Sequence, residues 1–283
     1  MSELTVERRP AEEVFGLLGN ELRVDILRAL ADGDGLSFSQ LRDRVGEPDS
    51  GKFNYHLRQL LGTFVRDGEA GYELTLAGER IVGAVIAGTY TADAALPAVA
   101  VDDPCPVCGV AELYASYEDE RARVVCRACD EWQNTFPFPP GTLDQYDPAE
   151  LPAAFDRWMR AQFEQVTAGF CTNCAGRLTG ELEPEDAPPT VVYRCDRCGD
   201  TVRAAVAMPV LFHPATRGFL YDHGVDPSTT PSWRLLTWDD LEQSADAEGA
   251  LVRLSLDGEM LSGRLDAAGQ VTSVEREGTA NAH

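Results

Sequence analysis

Lysine is almost missing from this chain: Lys52 is the only one in 283 residues, beside 23 arginines. Long apolar runs are missing too. None approaches the roughly 20 residues a membrane helix needs, and the N-terminus lacks a signal-peptide core. Both absences point to the cytoplasm, where reduced thiols favour metal over disulfides. There is no glycine-rich phosphate loop and no His-Glu-x-x-His motif. The four histidines, His56, His213, His223 and His283, are scattered and match no nucleophile arrangement, so an enzyme is not expected. Nor is any cysteine left alone.

All eight cysteines fall into Cys-x-x-Cys pairs, and the pairs form two sets. Cys105, Cys108, Cys126 and Cys129 make the first; Cys171, Cys174, Cys195 and Cys198 make the second. The gaps within the sets are 17 and 20 residues. A two-residue spacer lets both thiolates of a tight knuckle face one ion, and two knuckles complete the tetrahedral sulfur shell that zinc accepts in structural sites. The spacing predicts two zinc ions per chain, held in two small ribbons that the metal stabilises. A closed shell of four thiolates leaves no coordination position for Lewis-acid work. A thiol switch would need a reactive pair beside a strand-helix redox fold, which the pattern lacks.

Acidic side chains outnumber basic ones 47 to 24, for a net charge of −23, and 44% of residues are hydrophobic. The chain is globular and long enough for two or three domains. Acidic and nearly lysine-free, it resembles the proteins of salt-loving archaea, in which surface carboxylates hold hydrated cations. The charge is unevenly spread: residues 93–283 carry 14 basic and 32 acidic side chains, which gives −18. That stretch repels nucleic acid, so any DNA contact is expected from the N-terminal third.

Residues 10–92 read as a winged helix-turn-helix. Pro10 opens a first helix to Leu18, and Asn20 caps a second from Glu21 to Ala31. Ser37 with Gln40 is a capping box for a third. Ser50 or Asp49 caps a fourth helix that runs to about Leu61. A hairpin with its turn at Asp67-Gly68 follows, and then a helix from Leu76 to about Ala87. This order of elements is a DNA-binding one. On the fourth helix Phe53, Leu57, Leu60 and Leu61 recur at helical spacing and should face the core. Lys52, Tyr55, Arg58 and Gln59 lie opposite, with Asn54 and His56 on the flanks. From Ser50 to Phe64 there is no carboxylate, as a surface facing phosphates requires. The candidate DNA contacts are therefore Lys52, Asn54, Tyr55, His56, Arg58 and Gln59, with Arg66 on the wing.

The run Phe53-Asn54-Tyr55-His56-Leu57-Arg58-Gln59-Leu60, followed by Tyr72-Glu73-Leu74-Thr75-Leu76-Ala77-Gly78, resembles the ArsR-type winged-helix regulators. The opening Phe15-Gly16-Leu17-Leu18-Gly19-Asn20-Glu21-Leu22-Arg23-Val24-Asp25-Ile26-Leu27 is similar to their start. The match covers about residues 10 to 92, and with the added ribbons it looks like a haloarchaeal group of regulators. The resemblance implies a homodimer that binds double-stranded operator DNA and regulates transcription. It does not extend to metal sensing, because metal-sensing members carry a cysteine site in the recognition-helix region and this region has none.

Downstream, residues 93–104 read as a linker, 105–140 as the first zinc ribbon, and 147–168 as a connecting helix. Residues 169–206 read as the second ribbon and 207–276 as a small C-terminal α+β region. That last region holds a short helix from Pro214 to His223, the segment from Trp233 to Trp238, and a three-stranded meander. The fold class expected is α+β. A polymerase-associated or basal factor similar to archaeal transcription factor E is the alternative, as is an adaptor that meets a protein partner through its ribbons or C-terminal region.

Overall fold

The computed structural model describes residues 5–31, 33–129, 131–186, 188–235 and 241–277. It is a mixed helix and sheet structure in two compact units, Met1–Asp93 with Pro139–Thr142, and Ala94–Phe138 with Leu143–His283.

The first unit runs α1 (Ala11–Gly16), α2 (Glu21–Ala29), α3 (Phe38–Val45), α4 (Ser50–Leu60), β1 (Val65–Gly68), β2 (Gly71–Leu74) and α5 (Leu76–Ile86). Helical spacing buries one face of each longer helix. Ile26 and Leu27 of α2, Leu41 of α3, Phe53, Leu57 and Leu60 of α4 and Val82 of α5 close on one another with Phe64. The Ser37–Gln40 capping box opens α3, and Gly46 ends it in the left-handed region at φ 76°. Asp49 is the residue that caps α4.

Two local expectations fail here. Asn20 precedes α2, but its side chain makes no cap bond, and its Oδ1 is buried without a hydrogen-bond partner. The hairpin turn is Glu69-Ala70, not Asp67-Gly68, because Gly68 pairs with Gly71. Gly71 is needed for close approach. At φ +117° a Cβ there would lie 2.5 Å from the Leu36 carbonyl oxygen. Next to it Leu36 and Tyr72 exchange backbone hydrogen bonds of 3.1 and 2.8 Å.

The second unit begins with an antiparallel sheet of β3 (Leu96–Val101), β4 (Leu113–Glu118), β5 (Arg121–Cys126) and β6 (Gln133–Pro137), in that order. The segment 93–104 is thus not a bare linker. Its Leu96 pairs with Tyr117 and its Val101 with Leu113. Pro97 is tolerated because β3 is an edge strand. Helix α6 (Leu151–Thr167) follows, starting later than the Asp147-Pro148 expected, with its proline in the first turn. Next come β7 (Leu178–Glu183), β8 (Thr190–Cys195) and β9 (Thr201–Ala205) in one sheet. The helices α7 (Ala207–Leu211), α8 (Pro214–Asp222) and α9 (Ser232–Leu235) lead to a meander. Its strands are β10 (Leu241–Ala245), β11 (Gly249–Leu256), β12 (Glu259–Asp266) and β13 (Val271–Glu277). The meander therefore has four strands where three were expected. Trp238, expected with Trp233 in one segment, lies outside the described residues, as does His283.

These pieces pack on one another, because α6 serves two cores. Its Leu151 and Phe155 pack with Val124, Phe138 and Trp233 around the first sheet. Its Phe163 and Val166 pack with Val191 and Tyr193 of β8, Val210 of α7 and Val252 of β11. At about 1.5 Å per residue, a helix of 17 residues is long enough to reach both. Midway along it the buried Asp156–Arg160 ion pair holds the loop before α9. Arg160 donates to the Pro227 and Thr230 carbonyls, and Asp156 accepts from Ser232.

Candidate metal centres and candidate nucleic-acid interface

Each cysteine set closes on itself. In both, the four Sγ atoms lie within 4.8 Å of one another. In the first set Cys105 is 3.9 Å from Cys129, and Cys108 is 3.7 Å from Cys126. In the second, Cys171 is 3.7 Å from Cys198, and Cys174 is 3.5 Å from Cys195. A tetrahedral ion with metal–sulfur bonds of about 2.3 Å has sulfur–sulfur edges of about 3.8 Å. The donor sets thus fit a metal, and the pairing stays within each set.

The backbone prepares the sulfurs. In three knuckles the amide two residues after the first cysteine points at its sulfur: Val107 to Cys105, Ala128 to Cys126 and Arg197 to Cys195, each at 3.4 Å. After the knuckles at Cys105, Cys171 and Cys195 the chain takes the left-handed conformation. Gly109 and Gly199 do so at φ 72° and 76°, and Ala175 does so at φ 53°, a strained value for a residue with a Cβ. Burial opposes ionisation of Cys126, but the amides of Cys129 and Ala128 outweigh it and bring the thiol down to about 7. The amide of Cys198 leads the same effect on Cys195, which falls to about 6. Charge-assisted N–H···S bonds of this kind favour the thiolate, the form that binds metal, whereas at Cys105 and Cys171 burial prevails and raises the thiol. Four sulfurs complete the shell, so such a site holds an ion and offers it no substrate position.

The seven expected DNA contacts divide in three ways. Tyr55, Arg58 and Gln59 stand in solvent on α4, Tyr55 with 60% of its surface exposed. Asn54 and His56 are half-buried on the flanks. The His56 ring meets Tyr55 edge-on at 5.1 Å, and its Nδ1 is buried with no hydrogen-bond partner. Burial pushes the His56 imidazole below its ordinary pKa, and the charges of Arg23 and Lys52 add to that. The two remaining cations are engaged within the protein. Arg66 Nε lies 2.9 Å from Glu73 Oε2 on the neighbouring strand, and Lys52 Nζ lies 2.7 Å from Glu47 Oε2.

Sequence reasoning passed over Glu47 and Arg23. The carboxylate-free stretch begins at Ser50, just after two acids that fold back onto it. Asp49 Oδ1 accepts the amides of Gly51 and Lys52 at 2.8 and 3.0 Å. The five-residue spacing from Glu47 to Lys52 is not a helical pairing spacing, so nothing local pointed to their pair.

A family model described as a domain of unknown function (DUF7351) matches residues 102–271, more than half of the chain and both cysteine clusters. The chain belongs to the DUF7351 family. A second model, also described as a domain of unknown function (DUF7347), matches residues 11–85, from the start of α1 into the last turn of α5. No curated protein and no solved structure matches. The DUF7351 region thus holds both clusters and α6, and α4 lies in the DUF7347 region. Among the described residues no helix is long and apolar enough to cross a membrane.

Proposed function

We propose that the chain is a sequence-specific DNA-binding transcription regulator, with a winged helix-turn-helix as its first unit and two structural zinc ions in its second. One observation carries this reading: the exposed face of α4 presents Tyr55, Arg58 and Gln59 and has no carboxylate of its own. About one residue in six of the chain is acidic, so a bare face marks a surface that meets phosphates and base edges. In this reading α3 and α4 are the helix-turn-helix, α4 enters the major groove, and β1–β2 is the wing. Arg58 and Gln59 suit base edges, and Tyr55 suits a phosphate. Zinc suits the four-thiolate shells, which need tetrahedral geometry and no redox change. Their work is to hold the second unit together, and a protein partner is its natural client, since residues 93–283 carry a charge of −18. The regulator acts in the cytoplasm as a homodimer.

The test is duplex selection from a random library at high salt, followed by titration of the selected site. Arg58→Ala and Gln59→Ala should each weaken binding by about 1–3 kcal/mol and relax the preference for sequence. Failure to select any duplex would defeat the reading. Mapping bound sites across a genome then separates a regulator with few sites from a basal factor found at every promoter.

A further inference from the structure

The turn between α3 and α4 is built around Glu47. Both of its carboxylate oxygens are committed: Oε1 accepts the Asp49 amide at 3.0 Å, and Oε2 accepts Lys52 Nζ at 2.7 Å. Its side chain is only 12% exposed, against 55% for Lys52. Pro48 lies between the bonded positions and removes backbone freedom from the turn. Glu47 is therefore a fixed anion, and Lys52 is the mobile partner on a flexible stem. The pair is fully formed. Lys52 holds the Glu47 carboxyl below its usual range, and Glu47 in turn raises the Lys52 ammonium.

Helix N-termini attract phosphate through free amides and positive charge. The first turn of α4 has spent both on its own side chains, because Asp49 takes the amides of Gly51 and Lys52 while Glu47 takes the ammonium. The one lysine of the chain stands on the surface proposed to meet DNA, already satisfied by a carboxylate.

We propose that Glu47 is an internal stand-in for a DNA phosphate, and that duplex binding exchanges it for a phosphate on Lys52. This rests on the DNA-binding reading and names the residue that sets the strength and salt response of that interface. When the phosphate takes Lys52, the freed Glu47 carboxylate takes up a cation from solution, which offsets the one the phosphate releases. Wild-type protein then shows a shallower salt dependence than its basic residues would give.

Glu47→Gln is the informative variant, because a glutamine oxygen still accepts the Asp49 amide and only the charge is lost. Four proteins are compared on the selected duplex over a range of salt: wild type, Glu47→Gln, Lys52→Met and the double variant. Glu47→Gln should bind roughly two- to fivefold tighter, as expected for release of an exposed ion pair. Its log–log salt slope should steepen by up to about 0.9, the release of one phosphate counterion no longer offset by a carboxylate. In the Lys52→Met background the same change should do almost nothing. Because Lys52 is the only lysine, lysine-selective isotope labelling gives one side-chain signal. That signal should move on adding duplex to wild type, and should start from a different, unpaired position in Glu47→Gln. If Glu47→Gln leaves affinity and slope unchanged, or tightens binding equally without Lys52, the exchange is wrong although DNA binding stands. If neither wild type nor Glu47→Gln binds any duplex, the DNA-binding reading fails and the exchange with it.

Discussion

The indole Nε1 of Trp233 donates a 2.8 Å hydrogen bond to Oδ2 of Asp103, 130 residues earlier in the chain. Asp103 lies two positions before Cys105 and is 6% exposed; Trp233 is 2% exposed. The bond fixes α9 onto the entry of the first cysteine module, and Arg234 holds the other oxygen of the same carboxylate. Trp233 belongs to the core of the first sheet, whereas Leu235 belongs to the core of the second. The four residues of α9 thus connect the two sheets that carry the cysteine clusters.

Removing that indole should loosen the first module. Trp233→Ala deletes a large buried ring, which costs about 3–5 kcal/mol. It also leaves the Asp103 carboxylate one donor short. The measurement is the rate at which Cys105, Cys108, Cys126 and Cys129 react with an alkylating probe during metal removal, read by peptide mass. These four should react markedly faster than in wild type, with Cys171, Cys174, Cys195 and Cys198 changing less. An unchanged rate for the first set would show that α9 merely rests on the sheet.

Metal content and its loss give a second prediction. Elemental analysis should find two zinc ions per chain, and a disulfide or a single ion would contradict the assignment. Cys126→Ser should lose one of them. Because Leu151, Phe155 and Trp233 share the core of the first sheet, unfolding should spread into the first half of α6. The unit containing α1–α5 has its own core and should stay folded. Hydrogen exchange on wild type and variant distinguishes these outcomes: protection lost in residues 105–126 and 151–158, and kept in α2 and α4.

The cysteine spacing and the helical periods were legible because they are local. Two residues between thiolates and one apolar face per helix need no knowledge of the rest of the chain. The capping box at Ser37 was visible for the same reason. Strand β3 was hidden because Leu96–Val101 has no clean alternation, and β10 because its inward positions in Leu241–Ala245 include the polar Gln243; each is an edge strand completed by its neighbour. Helix α7, Ala207–Leu211, is only five residues long and buried throughout, so it shows no amphipathic period. The packing of segments within 93–276 against one another was hidden for a related reason: nothing in a sequence links Trp233 to Asp103. On the α4 surface proposed to meet DNA, the bare face was legible, but Glu47 folding back onto Lys52 was not, because it depends on the turn between two helices.

His56 supplies a pH prediction. An unfolded histidine takes up a proton near pH 6.5, and burial first, then Arg23 and Lys52, lower the folded value below that. Between the two values the unfolded chain binds more protons, so stability rises with pH. The first unit should be fully stable above about pH 6.5 and lose stability as the pH falls through that value towards the folded pKa. Ring signals of His56 followed over a pH series should titrate below the value of a histidine in a denatured sample. Titration at or above it would mean that the ring is solvated and free to meet a phosphate.

Assembly is the last prediction. After its core is filled, the first unit leaves Phe15 of α1 61% exposed, with Leu76 and Ile86 of α5 at 67% and 61% and Tyr90 just beyond at 77%. Single exposed apolar residues are ordinary. Three large ones on two helices, with Tyr90 beside them, are the composition of a subunit interface, which is rich in aromatic and apolar side chains. Molar salt weakens charge–charge attraction at a surface and leaves apolar contact to hold two copies together. Ile86→Asp places a charge in that contact without touching the core, because Val82 is the α5 residue that fills it. Sedimentation equilibrium in high salt should give a dimer for wild type and a monomer for Ile86→Asp, with thermal stability of the first unit little changed. The monomer should bind a two-fold-symmetric duplex far more weakly than wild type, because each half-site then binds alone. A wild-type chain that is already monomeric at micromolar concentration would rule the dimer out, and the exposed face of α5 would then need another explanation.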